Sequence, residues 1–177
     1  MPHAVDQRAT NLVGALALAL TDRMSAAIDG RGGARGSAAG ALLLVHHGHV
    51  RRIDDLRAPL ALSQAGAVRL VDRLAAAGLL RRVAGDSADR RQVGVVLTAK
   101  GRRRVRQVLE ARRDAVAGLL AGLTPEQVAQ LSRTCERALA GVAADHPVPA
   151  RICRYCDEKA CDLTRCPVEL ATDTGGA

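Results

Sequence analysis

The sequence predicts a mainly α fold, a winged helix-turn-helix with long helices at both ends and a small C-terminal four-cysteine module. Three observations carry this. Hydrophobic residues are 48% of the 177, yet there is no Phe or Trp and Tyr155 is the only Tyr, which leaves small aliphatics suited to packing helix on helix. Apolar residues recur at helical spacing over most of the chain. One short alternating stretch, broken by "GDSAD", reads as a pair of strands.

The first helix spans 7–29, where Leu12, Leu16, Leu20, Met24 and Ile28 recur every fourth residue. "GRGGARG", Gly30 to Gly36, ends it. "SAAGALLLVHHG" is a second, mostly buried helix with Ser37 as its N-cap. A short helix follows from Ile53 to Pro59. Ser63 caps the next, "QAGAVRLVDRLAAAG", which closes at Gly78. There Ala67, Leu70, Val71 and Leu74 form the inward face, and Gln64, Ala65, Val68, Arg69 and Arg73 the outward one. "LRRVA" and "QVGVVL" are the strands. Thr98 caps a long helix, and "LTPEQ" opens another with a capping box of Thr124, Pro125 and Gln127, running to about Ala144. "DHPVPA" cannot continue it.

A formal charge of +8 favours an anionic partner, nucleic acid above all. No apolar run approaches the ~20 residues of a membrane helix, and the start lacks a secretory signal. The expected compartment is a reducing cytoplasm, where clustered cysteines are metal ligands more often than disulfides. No Gly-rich phosphate loop, nucleophile elbow or deaminase H-x-E is present, so a non-enzyme is expected.

"DSADRRQVGVVLTAKG", Asp86 to Gly101, resembles the wing signature of the MarR (multiple antibiotic resistance regulator) family. There the pattern is Asp, a turn, Asp-Arg-Arg, an alternating strand, Leu-Thr and a Gly in the next helix. "LSQAGAVRLVDRLAAAGLLRR" is similar to that family's recognition helix. The resemblance is close over Ile53 to Gly101 and extends to the flanking helices by layout. It implies a homodimeric regulator, a repressor in the first instance, that places two recognition helices on a near-palindromic operator in double-stranded DNA. The implied organisation is a dimerisation helix and loop at 1–36, a winged domain at 37–101 and dimerisation helices at 102–144. A linker at 145–150, a cysteine module at 151–168 and a flexible tail at 169–177 follow. Excess apolar surface on the first helix and "LLAGL" agrees with a partner chain.

By the same resemblance, Ser63 opens the recognition helix. Gln64, Ala65, Val68, Arg69 and Arg73 line its DNA side, and Arg90 and Arg91 lie at the wing tip, where an Arg can enter a narrow minor groove. Asp89 is either a partner for a neighbouring Arg or a turn residue. Thr98 reads as a cap, and Arg102, Arg103 and Arg104 as a solvated basic face. With Ala65, Gly66 and Val68 where hydroxyls are common, thymine methyl contacts and A·T-rich half-sites are expected. The family also implies a small-molecule effector, though this chain offers almost no aromatics to stack on one. His46, His47 and His49 lack i, i+4 metal spacing and read as polar surface or a loop cap.

Cys153, Cys156, Cys161 and Cys166 give C-x2-C-x4-C-x4-C, similar to a zinc knuckle with its His replaced by Cys. One tetrahedral zinc with bonds of roughly 2.3 Å suits such a set. Arg154, Lys159 and Arg165 would offset its charge, and the metal would fold a segment lacking a core of its own. An iron–sulfur cluster, making the protein a redox sensor, and metal-free thiols are the alternatives. Cys135 reads as a small buried hydrophobe. A non-specific architectural DNA-binding protein is the other function class that the charge allows.

Overall fold

A computed structural model describes residues 6–30, 36–84, 93–146, 148–161 and 163–173. The helices are α1 (Gln7–Gly30), α2 (Ser37–His46), α3 (Arg57–Leu60), α4 (Gln64–Ala76), α5 (Ala99–Leu120), α6 (Pro125–Ala144), α7 (Ala150–Cys153) and α8 (Pro167–Asp173). A 3-10 turn, Asp54–Leu56, leads into α3. Strands β1 (Leu80–Ala84) and β2 (Val93–Leu97) pair antiparallel, with Leu80 opposite Leu97 and Val83 opposite Gly94. This is the mainly α, winged architecture that the sequence predicts.

Local chemistry explains most boundaries. Ser63 Oγ accepts from the Gly66 N–H at 3.1 Å, and Thr98 Oγ1 from the Gly101 N–H at 3.0 Å. Thr124 and Gln127 form the reciprocal capping box. At the end of α4, Gly78 takes φ 68. Its N–H donates to the Ala75 carbonyl, and the next N–H, of Leu79, reaches back to Leu74. This paired closure needs the left-handed residue that glycine supplies. Ser37 does not cap α2. Gly36, at φ 53, takes the cap position, so Ser37 is the first helical residue and makes no side-chain cap bond.

The core lies under α2, α4 and the ribbon. Leu42, Leu43, Leu44, Leu56, Leu70, Val71, Leu80, Val105 and Val108 are buried there, with Ala67 and Leu74 on the expected inward face of α4. α1 packs along α5 but buries only Ile28, leaving Leu12 56% and Leu16 40% exposed. Arg104 departs from the solvated basic face expected at 102–104. It is buried, and its guanidinium donates to the Ile28 carbonyl at 2.9 Å, because α1 crosses α5 at that turn. Cys135 is exposed rather than buried, since among the described residues none covers that side of α6.

Residues 51–53 add a third rung to the ribbon. Val95 N–H donates to the Arg51 carbonyl at 2.9 Å, Ile53 N–H to that of Val93 at 3.3 Å, and Arg52 bridges Gly94. The cysteine segment lies against the rest of the chain. Ala150 and Tyr155 pack on the main core, while Cys166 and Val168 are buried beside Ala143 of α6. The sequence reading gave this segment no core of its own. The ends of α2 and α6 supply the walls that fourteen residues cannot build alone. The stretch expected to be a tail from 169 is helical through Asp173, where α8 runs along α6.

Candidate functional site

The outward face of α4 is presented as its periodicity predicts. Ser63, Gln64, Ala65, Val68, Arg69 and Arg73 are all exposed, while the opposite face is buried. The Ser63 hydroxyl is engaged as the helix cap. Asp72, on the same helix, pairs with Arg82 of β1 at 2.6 Å. The pair is exposed and adds little stability, but it links the helix to the ribbon in one orientation. Asp86, Asp89, Arg90 and Arg91 lie outside the described residues.

Beside the ribbon, a cleft of about 900 Å³ is lined by His46, Arg51, Arg52, Asp55, Arg102 and Leu97, among others. Asp55 orders one wall. Its carboxylate accepts from the backbone N–H of Arg51 at 3.2 Å and of Arg52 at 2.9 Å, and from the Arg52 guanidinium at 3.1 Å. Burial works to raise the Asp55 carboxyl. The hydrogen bonds from Arg52 and from both N–H groups outweigh it and hold the group below its ordinary value.

The four predicted cysteines line one cavity of about 130 Å³, together with His49, Glu158 and Glu169. Cys166 is buried, Cys153 and Cys156 are half-buried and Cys161 is exposed. The thiols pair by hydrogen bonds, Cys153 with Cys156 and Cys161 with Cys166. The bond from Cys153 pulls Cys156 down to about 6 against the effect of burial, aided by the Arg112 charge. The same bond, with burial, pushes Cys153 up. Burial and the neighbouring thiols push Cys161 up. Among the described residues, no group of three or more His, Cys, Asp or Glu is already arranged to hold a metal ion.

One cation that the sequence reading does not name acts on the thiols. Arg112, on α5, acts on Cys156 and Cys161. Arg154 instead lies over the Tyr155 ring and donates to the Arg151 carbonyl, while Lys159 and Arg165 are exposed. The histidine trio is also more than polar surface. His47 is 7% exposed in its side chain; Nε2 donates to the Cys156 carbonyl at 3.2 Å, and Nδ1 lies 3.3 Å from Glu158 Oε2. His49 Nε2 meets the other Glu158 oxygen. Tyr155 Oη donates to the Gly36 carbonyl at 2.9 Å. Gly40, buried on α2, lets this segment come close: a Cβ there would lie 3.0 Å from Leu60 and 4.0 Å from the Tyr155 ring. No local sequence signal marks Glu158, Tyr155 or Arg112, because each contact closes across a long stretch of chain.

No protein-family model matches the chain, and no curated protein does. Solved structures match it well. A MarR family protein from Bacillus stearothermophilus aligns at TM-score 0.66, with 22% identity over 76% of this chain and 96% of that one. A cysteine-to-serine variant of MarR from E. coli, complexed with operator DNA, aligns at TM-score 0.57 and 19% identity over 75% and 94%. The Mycobacterium tuberculosis MarR family protein Rv2887, in complex with p-aminosalicylic acid, aligns at TM-score 0.57 and 23% identity over 73% and 96%. The chain therefore has the fold of these proteins.

Proposed function

We propose that the chain is a sequence-specific DNA-binding transcriptional regulator that works as a homodimer on a near-palindromic operator, repressing by occupying it. The observation that carries this is α4. It keeps Gln64, Ala65, Val68, Arg69 and Arg73 on one open face, is fixed from behind by a buried face, and is tied to the ribbon by Asp72 and Arg82. A rigid helix with an exposed N-terminal face suits a major groove, and the ribbon beside it suits the adjacent minor groove, for which the sequence between the two strands offers Arg90 and Arg91. The net charge of +8 adds phosphate attraction. One structure of the same fold is complexed with operator DNA.

The partner chain is a second copy. α1 leaves Leu12, Val13, Leu16 and Leu18 open, and α6 leaves Leu139 and Val142 open, surface that an isolated chain would hold in water at a cost. The cleft beside Arg51, Arg52 and Arg102 suits a small anionic effector, and one structure of the same fold carries p-aminosalicylic acid. The four thiols around one small cavity suit zinc, which takes four thiolates tetrahedrally. Zinc there would supply a structural or sensory cross-link. Cys153, Cys156, Cys161 and Cys166 would hold it, and Arg112 would offset the negative charge of the thiolates.

The test is footprinting of the purified protein on its upstream DNA, with and without excess random duplex. A protected near-palindrome that survives the competitor supports the reading; uniform coverage that the competitor removes supports an architectural protein instead. Arg69→Ala is expected to weaken operator binding by about 1–3 kcal/mol while random DNA is less affected. Metal content and the absorption spectrum test the cysteines: a colourless protein with zinc supports the choice, and a brown one favours an iron–sulfur cluster.

A further inference from the structure

We infer that Glu158 is a clasp through which the four-thiol site controls the ribbon: zinc at Cys153, Cys156, Cys161 and Cys166 fixes the Asp157–Lys159 turn, and Glu158 on that turn holds His47, His49 and the 51–53 rung in place. The inference rests on the zinc reading above and adds to it a route by which the site acts.

Each link from Cys156 and Glu158 to the ribbon is a contact in the structure. Glu158 lies between Cys156 and Cys161, so binding of those two thiolates to one ion pins both ends of its turn. Within the turn, the N–H groups of Ala160 and Cys161 donate to the Asp157 carbonyl at 3.1 and 3.2 Å. Both Glu158 oxygens are engaged, one by His47 and one by His49, and the carboxylate is only 18% exposed. His47 is gripped a second time through the Cys156 carbonyl, the backbone of a thiol residue itself. The histidines sit on the turn that closes α2, where Val50 N–H donates to the Leu44 carbonyl at 3.3 Å. Two residues beyond His49, Arg51 accepts from Val95 of β2, and Ile53 donates to Val93. The path from thiol to ribbon is therefore a run of direct bonds that crosses 109 residues of sequence in one step.

The physical consequence is a coupling between two local equilibria. A turn free at its ends samples several conformations, and each bond it makes to a neighbour is diluted by them. Pinning the ends removes that freedom, so the clasp and the rung beyond it open less often. The clasp thus gives the metal a differential effect on a segment that it does not touch.

The experiment is amide hydrogen exchange on the full chain, stripped with a chelator and then reloaded with zinc alone, with bound zinc measured in parallel. The reporters are the N–H groups of Ile53 and Val95. Zinc is expected to slow their exchange about tenfold, with a smaller effect at Leu70 and Val71 in α4. In Glu158→Ala, zinc is expected to bind with unchanged stoichiometry and to protect 153–161 while leaving Ile53 and Val95 at the metal-free rate. His49→Gln is expected to give a partial loss of the effect. Full zinc uptake with no slowing at Ile53 and Val95 overturns the clasp and leaves the zinc reading intact. Equal slowing throughout the chain, or unchanged slowing in Glu158→Ala, also overturns it. Failure to take up zinc overturns the zinc reading and this inference with it.

Discussion

Arg104 and Ile28 hold α1 to α5: the buried guanidinium donates to the Ile28 carbonyl at 2.9 Å, near the C-terminal end of α1. The carbonyls of a helix's last turn have no partner within the helix, and the end carries partial negative charge, so a cation there is doubly suited. Burial lowers the arginine's proton affinity, with Asp29 opposing it. Arg104→Met keeps much of the apolar stem and removes the donor. It is expected to destabilise the chain by about 1.5–3 kcal/mol in urea unfolding. A change within experimental error would show that the contact is incidental.

Gly101 explains one glycine of the wing pattern. A Cβ at this position would lie 2.0 Å from the Leu79 carbonyl oxygen, and backbone cannot step aside as a side-chain tip can. That same carbonyl accepts from the Thr98 N–H at 3.1 Å, so moving it breaks the junction between ribbon and α5. Gly101→Ala is expected to cost about 3 kcal/mol or more, despite alanine's better helix propensity. Thermal unfolding compared with Gly141→Ala, inside α6, where a Cβ meets nothing within 4 Å, separates this clash from a general propensity effect.

Asp55 makes the third rung pH-sensitive at the acid end. Its folded-state carboxyl lies below the unfolded value of 3.8, so its contribution is complete above that value and is lost as pH falls through the lower folded one. Asp55→Ala is expected to lose about 1–2 kcal/mol at neutral pH. The difference from the parent should shrink steadily below about pH 4. A difference that stays constant down to about pH 2 would assign the effect to packing instead.

The open face of α1 predicts the response to a single charge. Leu16, 40% exposed in one chain, would be buried between two. Leu16→Glu is expected to weaken self-association at least tenfold in sedimentation, a loss of about 1.4 kcal/mol or more, with helicity retained. A dimer of unaltered strength would move the interface elsewhere, with the apolar edge of α6 at Leu139 and Val142 as the next place to test.

Sequence by itself determined the elements whose hydrogen bonds close within a few residues. Ser63, Thr98 and Thr124 each cap a helix, Gly78 ends α4, and Ala67, Leu70, Val71 and Leu74 turn inward, because spacing of three or four residues sets those geometries directly. The clustering of four thiols around one cavity was legible for the same reason. Ser37 is not the cap of α2, because the glycine beside it takes a positive-φ conformation at the cap position. Only the tertiary structure decided the rest. Arg104 in a run of three arginines has no local mark to tell it from Arg102 and Arg103; it is buried because α1 crosses there. Glu158 meets His47 and His49, and the Arg112 charge acts on the thiols, because the chain path returns the last segment to α2 and α5. Such contacts depend on where whole elements pack, and that is set by the burial of many apolar side chains together rather than by the residues that happen to meet.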